Sequence, residues 1–370
     1  MAYAHITGWG MAVPEKVLTN DDLSEMVETN DEWIRARTGI RERRIASDEQ
    51  SSASLASEAA IRALDVANLK PTELDLVIVS SSSPEHIFPS TASLVQDRIG
   101  AANAGAFDLS AACTGFIYAL DMGAQAIRSD SVKNVLVLGT ETLSRFVDWT
   151  DRNTCILFGD GAGAFVLQAD EKPGGVLSSV LHSDGSGGDL LSLPAGGSRH
   201  PANSSTVRDG LHFIQMDGKG VFRFATRVMA RATREAIEKA GLTTEDLDLV
   251  VPHQANMRII DAAARGLKMP LEKFMVNLDR YGNTSTASIP IATVEAIESG
   301  RLKEGDTVVF VGFGAGLTWG ALAAEWSGPR PVERRVNHGL YVIWARVRSM
   351  ILRLMRIVEG ILWGQYGRGK

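Results

Sequence analysis

The chain has 370 residues, of which 45% are hydrophobic and 22% charged, with a formal net charge of −6 and two cysteines. This composition gives a globular chain long enough to bury a substantial core; it excludes disordered, collagen-like and mucin-like chains, a disulfide framework and, for want of any CxxC or Cys/His cluster, a zinc site. The charge is uneven: residues 328–370 hold nine Lys/Arg against Glu333 and Glu359, a net of +7, so the chain's −6 leaves −13 on residues 1–327.

The opening MAYAHITGWG lacks the basic start and apolar run of a secretory signal, and no stretch of about 18 uncharged apolar residues offers a spanning helix, so a cytosolic protein is expected. ASEAAIRALDVAN (56–68) predicts a helix feeding the β-branched run of LKPTELDLVIV (69–79). FDLSAA (107–112) reads as a short strand, a helix-period stretch starts at Cys113, and NVLVLG (134–139) is the next strand. NTCILF (153–158) is β-patterned, and GDGAGA (159–164) joins strand to strand. A boundary is expected near Lys172-Pro173, and the Gly/Ser/Pro-rich segment from Ser183 to Ser205 as a loop or lid.

The second half then repeats the first. ATREAIEKAG (232–241) feeds LTTEDLDLVV (242–251), and Leu242, Leu247, Asp248 and Leu249 fall on Leu69, Leu74, Asp75 and Leu76. A helical stretch from Ser285 leads into the strand TVVFVG (307–312). Helices alternating with strands buried on both faces predict an α/β fold with parallel or mixed sheets, chance likeness of short βα units being the alternative.

Cys155, inside NTCILF, reads as a buried inert thiol. Cys113 directly precedes a helix, where the positive end of the macrodipole and unpaired N–H groups are expected to lower its pKa; Ala111, Ala112 and Gly115 leave room for a sharp turn and a substrate. Position alone leaves two readings, a nucleophile or a small helix-start residue. Of seven histidines only His253 has context, at the end of DLVV beside Pro252, Gln254 and Asn256, where α/β sheets gather their ligand-handling groups; a structural histidine is the alternative. Asn283, in RYGNTSTAS, starts the second-half helix at the place where Cys113 starts the first, either as an N-cap or as a third member of a shared centre. GDGAGA opens no helix and lacks GK[ST], so neither a P-loop nor a dinucleotide site is predicted. GFGAG (312–316) supplies either oxyanion-binding N–H groups or a tight turn.

Together these segments resemble the thiolase superfamily, most closely the β-ketoacyl-acyl-carrier-protein synthase III family. DLSAACTGFIYAL resembles its cysteine motif, VPHQANMRII its histidine motif and GNTSTASIP its asparagine motif, with FGDGAGA and GFGAGLTWG also family-like, from about Ile6 to Trp326. The resemblance implies a five-layered αβαβα fold with a pseudo-twofold repeat, in halves 1–172 and 173–327. It implies a decarboxylating condensation of an acyl-CoA with malonyl-acyl-carrier protein through an acyl-cysteine on Cys113, initiating fatty-acid synthesis. His253 and Asn283 would stabilise the enolate, and the backbone N–H groups of Cys113 and Ala315 the tetrahedral oxyanion. By the same resemblance Trp33, Arg37 and Arg152 would hold the CoA adenine, and Gly218, Phe222 and Asn256 would line the pantetheine tunnel. Phe88 would cross a homodimer interface to shape the acyl pocket, and Arg223, Arg258, Arg265 and Lys268 would dock the carrier protein. No cofactor, metal or nucleic-acid partner is expected. The rival readings are a relative that joins two long acyl chains or acylates another nucleophile, and a catalytically silent carrier-protein scaffold.

The family pattern leaves residues 328–370 unexplained. GPRPVERR reads as a Pro/Arg linker. From Leu340 to Trp363 one helix fits, with Ile343, Val347, Met350, Ile351, Leu354, Val358, Ile361 and Leu362 on one side and Arg346, Ser349, Arg353, Arg356 and Gly360 on the other. With Trp344, Trp363 and Tyr366 it reads as a basic amphipathic helix lying on an anionic membrane, with packing on the body or another subunit, or a disordered tail, as alternatives.

Overall fold

The computed structural model describes residues 2–330 and 335–362. The first half supplies β1 (Tyr3–Ala12), β2 (Val17–Thr19), β3 (Glu42–Arg44), β4 (Leu76–Ser80), β5 (Gly105–Leu109), β6 (Asn134–Glu141) and β7 (Gly161–Asp170), with α1 (Asn20–Ser24), α2 (Asp31–Thr38), α3 (Ser52–Ala67), α4 (Thr91–Ile99) and α5 (Gly115–Arg128). The second supplies β8 (Val176–Ser183), β9 (Leu191–Ser192), β10 (Gln215–Met216), β11 (Leu249–Pro252), β12 (Thr307–Gly314) and β13 (Thr318–Glu325), with α6 (Ser204–Arg208), α7 (Gly218–Lys239), α8 (Met257–Leu267), α9 (Leu278–Tyr281) and α10 (Ser288–Glu298). A last helix, α11, runs from His338 to Leu362.

The two main sheets are copies of one plan. The first has the order β1-β7-β6-β4-β5, with β6, β4 and β5 parallel and the other pairings antiparallel. The second has the order β8-β13-β12-β11, again with only β11 and β12 parallel, and Phe274 forms a parallel bridge to Val250 where β5 would stand. The repeated aspartates explain the register. Asp75 N–H donates to Asn134 O (3.0 Å) while its carboxylate accepts from Asn134 N (2.9 Å). Asp248, 173 positions on, does the same with Thr307, itself 173 positions after Asn134 (3.0 and 2.8 Å). Each carboxylate thus fastens a strand to the start of its parallel neighbour.

Five layers result. Helix α3 covers the outer face of the first sheet, α5 and α10 lie between the sheets, and α7 and α8 cover the outer face of the second. Three apolar clusters fill the interfaces: one around α3, one around α5, Phe165 and Phe310, and one around α7 and α8. The central layer is unusually close to the first sheet. A Cβ at Gly139 would sit 2.3 Å from Thr286 O, and one at Gly163 would sit 2.6 Å from the Pro290 ring. These two glycines therefore let the start of α10 lie directly on β6 and β7, which brings second-half residues onto the middle strands of the first sheet.

Three expectations are revised. NTCILF is a run of turns rather than a strand, because Asp151 accepts from Asn153 N (3.0 Å) and Thr154 Oγ1 (2.8 Å) and its carbonyl from Cys155 N (3.0 Å), closing the chain on itself. GDGAGA joins those turns to a strand, its Gly161–Ala164 forming the first residues of β7. The segment from Ser183 to Ser205 is not plain loop: it contains β9, which pairs with β10 beyond it, and the start of α6. The chain passes between the two sheets at residues 171–175, and residues 331–334 of the Pro/Arg linker, like Trp363 and Tyr366, lie outside the described residues.

Candidate active site

Cys113 is placed by a sharp corner. After β5 ends, Ala112–Thr114 make one 3-10 turn and α5 begins at Gly115. Ala112 has φ of 46°, in the left-handed region where a Cβ is strained, so strand turns into helix within a few residues and the thiol stands at the corner. The second half repeats the device: Ser285, 173 positions after Ala112, also has φ of 46°, and a 3-10 turn leads into α10. The symmetry mate of Cys113 is therefore Thr286. Asn283, expected at that place, lies three residues earlier, in the approach to the corner.

Each polar member of the site is held by backbone. His253 N–H donates to Val311 O at 2.8 Å, prolonging the β11–β12 ladder by one residue, and the ring meets Phe313 edge-on at 5.4 Å. His253 Nδ1 lies 2.7 Å from Ser288 Oγ, which also accepts Gln254 N–H at 3.4 Å. With the Ser288 hydroxyl donating to Nδ1, the ring proton is carried by Nε2, which has no partner among the described residues. Asn283 is carried by the turn segment, donating to Leu157 O (2.8 Å) and accepting from Gly159 N (3.0 Å). Its side-chain Oδ1 accepts Ser285 N–H at 2.8 Å, leaving the amide nitrogen as the uncommitted end. Gln254 points elsewhere, bracing Pro252 O and Met275 O (2.7 and 3.0 Å) and accepting from Asn277 N.

Burial sets the charges. His253 is 1% exposed, and loss of water drives its imidazole down to about 3, so it is neutral at physiological pH. Cys113 departs from expectation. Despite its place before a helix, burial pushes the thiol up to about 12, and the Glu141 carboxyl adds to the rise. Desolvation of a thiolate outweighs the helix terminus here. Cys155 is buried too, its thiol raised to about 11 chiefly by burial.

The three residues line one cavity with Gly218, Phe222 and Asn256, at the starts of α7 and α8. A second, largely apolar cavity of about 100 Å³ meets the first at Cys113 and is bounded by Leu143, Phe146, Leu193, Ile214 and Ala315. A Cβ at Gly314 would approach Cys113 N to 2.7 Å, so only glycine lets the end of β12, with Ala315, lie against the cysteine's amide. At the surface, Arg37 and Arg152 stack over the Trp33 ring at 4.4 and 5.2 Å. A flat base between Trp33 and Arg152 needs about 7 Å, twice a van der Waals contact, so Arg152 must swing outward to admit one. Asn256 Nδ2 donates to Arg37 O (3.0 Å), tying this cluster to α8.

Arg223, Arg258, Arg265 and Lys268 are exposed on α7 and α8, with Arg258 over the Phe222 ring at 5.0 Å. Phe88 does not line either cavity of its own chain; it is 84% exposed. Sequence reasoning missed Glu141, at the end of β6. It is fully buried, accepting from Ser83 Oγ (2.5 Å), Ser82 N (3.1 Å) and Thr286 Oγ1 (3.0 Å), and burial holds its carboxyl above the usual carboxylate range. It joins the first sheet to the α10 corner; the acidic residue closing an apolar strand (VLVLGTE) was its only signal. Among the described residues no group of three metal-ligating side chains occurs, and no helix is long and apolar enough to cross a membrane.

Residues 107–185 match the family model of 3-oxoacyl-[acyl-carrier-protein (ACP)] synthase III, and residues 237–326 match that of its C-terminal part. The chain is 56% identical over 321 residues to a β-ketoacyl-[acyl-carrier-protein] synthase III of Symbiobacterium thermophilum, covering 87% of this chain and 97% of that one. It is 54% identical over 324 residues to one from Caldanaerobacter subterraneus, covering 88% and 98%. A crystal structure of 3-oxoacyl-[acyl-carrier-protein] synthase III from Aquifex aeolicus superposes with a TM-score of 0.81 at 48% identity, covering 87% of this chain and 99% of that one.

Proposed function

The chain belongs to the β-ketoacyl-[acyl-carrier-protein] synthase III family, a family of condensing acyltransferases that initiate fatty-acid synthesis, and from this premise we propose how its residues divide the work. The observation that carries the reading is the meeting of two cavities at Cys113, with His253 and Asn283 on one and an apolar wall on the other. Cys113 Sγ attacks the acyl-CoA carbonyl; the carbon–sulfur bond to CoA breaks, CoA leaves with the thiol proton, and the acyl group stays on the cysteine in the apolar cavity. Malonyl-acyl-carrier protein then enters along Gly218, Phe222 and Asn256. As carbon dioxide departs, the electron pair moves to the adjacent carbon. His253 Nε2–H and the Asn283 amide donate to the resulting enolate oxygen. That carbon attacks the acyl-cysteine, the Cys113 and Ala315 N–H groups hold the oxyanion, and collapse releases the 3-oxoacyl product and a thiolate that takes a proton from water. No step needs a cofactor.

Exposed Arg258, over the Phe222 ring of the cavity wall, and the neighbouring Arg223 suit an acidic carrier protein, with Arg265 and Lys268 at the far end of α8 extending the basic surface. The partner reading includes a homodimer: β5 is an open edge bearing Phe107, and Ile87 and Phe88 stand 81% and 84% exposed beside it. Sedimentation equilibrium is expected to give a dimer that Phe88→Asp weakens; a wild-type monomer at micromolar concentration would remove this part of the reading. The proposal as a whole is tested by intact mass after incubation with acyl-CoAs of graded length. One acyl group per chain, with acetyl-CoA and other short primers labelling fastest, is expected from the small apolar cavity. Labelling by long chains alone would point to an enzyme that joins long acyl chains, and no labelling to a scaffold.

A further inference from the structure

Helix α11 has no counterpart in the family pattern, and its orientation on the body is the reverse of what burial of an amphipathic helix normally gives. Its 25 residues span about 37 Å. It is fastened at its root: His338 Nε2 donates to Leu69 O (2.8 Å) with Nδ1 against the Asp65 carboxylate, Val336 N donates to Asn68 (2.7 Å), and Ala345, 3% exposed, packs at Gly100. At 100° per residue the apolar side chains fill an unbroken arc of about 160° from Ile357 through Ile343, Leu354, Val347 and Val358 to Trp344 and Met355, nearly opposite Ala345. Every one of these is at least 45% exposed. The apolar face is thus turned away from the protein, which removes packing on the body as its explanation.

Charge separates a second copy of this helix from a lipid surface as the occupant. Arg348 borders the apolar arc on one side, Arg346 and Arg353 on the other, and Glu359 is the helix's one acid. A second copy of α11 would set arginine against arginine along both seams, and a self-pairing helix needs a narrower stripe with opposite charges beside it. An apolar face of this breadth, rimmed by arginines and bearing Trp344, complements acyl chains beneath anionic headgroups. We propose that α11 lays the enzyme on an anionic lipid bilayer, its outward apolar face buried among the acyl chains. The inference does not depend on the division of catalytic roles above.

Flotation of the full chain with vesicles of phosphatidylcholine, with and without phosphatidylglycerol, tests it. The chain is expected to float with the anionic vesicles, to be released by salt, and to float poorly with the neutral ones. Arg346→Gln with Arg353→Gln should weaken partitioning about thirty-fold, about fivefold per charge. Val347→Asp with Leu354→Asp should abolish it, with formation of the acyl-cysteine retained in both variants. No flotation, or equal flotation on both vesicle types, overturns the proposal. So does a Val347→Asp/Leu354→Asp variant that only dissociates an oligomer, or only raises KM for malonyl-acyl-carrier protein.

Discussion

Cys113→Ala is expected to abolish acyl transfer while malonyl decarboxylation continues. The two half-reactions draw on different groups: the thiol bonds to the acyl carbon, whereas the enolate oxygen is held by His253 and Asn283. Because burial holds the thiol near 12, it is uncharged at neutral pH, and its loss changes no charge beside the enolate. Condensation should fall by at least about 10⁴, the scale on which enzymes lose a covalent nucleophile. No acylated species should appear in the intact mass, and carbon dioxide release from malonyl-acyl-carrier protein should stay within a few-fold of wild type. Acylation of the variant would unseat Cys113. Parallel loss of decarboxylation would show that the two sites are not separable. A stability signature accompanies the substitution. Between the ordinary thiol pKa of about 9 and the folded value of about 12 the unfolded chain has lost this proton and the folded chain keeps it. Wild type therefore loses stability as pH rises through 9, and Cys113→Ala lacks that contribution.

The parts of this molecule that the sequence disclosed are those in which one residue type has one physical use. Asp75 and Asp248 stand before apolar runs in matching register, and the structure shows them making the same pair of backbone bonds, so the repeat and an α/β fold were visible, the five layers being implied by the family resemblance. Cys113 and His253 were marked by the ends of predicted strands. Three things were hidden because they depend on distant packing. The depth of the site reverses the effect of the helix terminus on Cys113, and burial is a property of five layers rather than of a motif. Glu141 carries no motif, and its partners come from Ser82 and Ser83 on one side and Thr286 on the other. NTCILF has strand composition, but the Asp151 side chain captures the amide and hydroxyl groups that follow it. For α11 the amphipathic pattern was plain, whereas the direction of its apolar face was fixed only by His338 and Ala345 docking on the opposite side.

The second large effect is expected at the enolate site. Removing a preorganised donor costs about 10² to 10³ in rate, so His253→Ala and Asn283→Ala should each lower decarboxylation and condensation by that factor, with Cys113 still acylated by acyl-CoA. Asn283→Asp should be worse than Asn283→Ala, because it presents an acceptor and a charge to an oxygen that needs a donor. Ser288→Ala tests the tautomer assignment: without the hydroxyl, Nδ1 can take the ring proton, and decarboxylation should fall while acylation does not. The pH behaviour distinguishes a neutral donor from a charged one. With the imidazole held down to about 3 by burial, decarboxylation should show no change near the ordinary histidine value of 6.5. Between 6.5 and about 3 the unfolded chain binds a proton that folded His253 refuses, so stability should fall as pH falls through this window, and His253→Ala should flatten that slope. A decarboxylation profile with an inflection near 6.5 that vanishes in His253→Ala would mean that the imidazole acts as a cation. The buried, uncharged pair of donors inferred from the Ser288 and Ser285 contacts would then be the wrong description of the site.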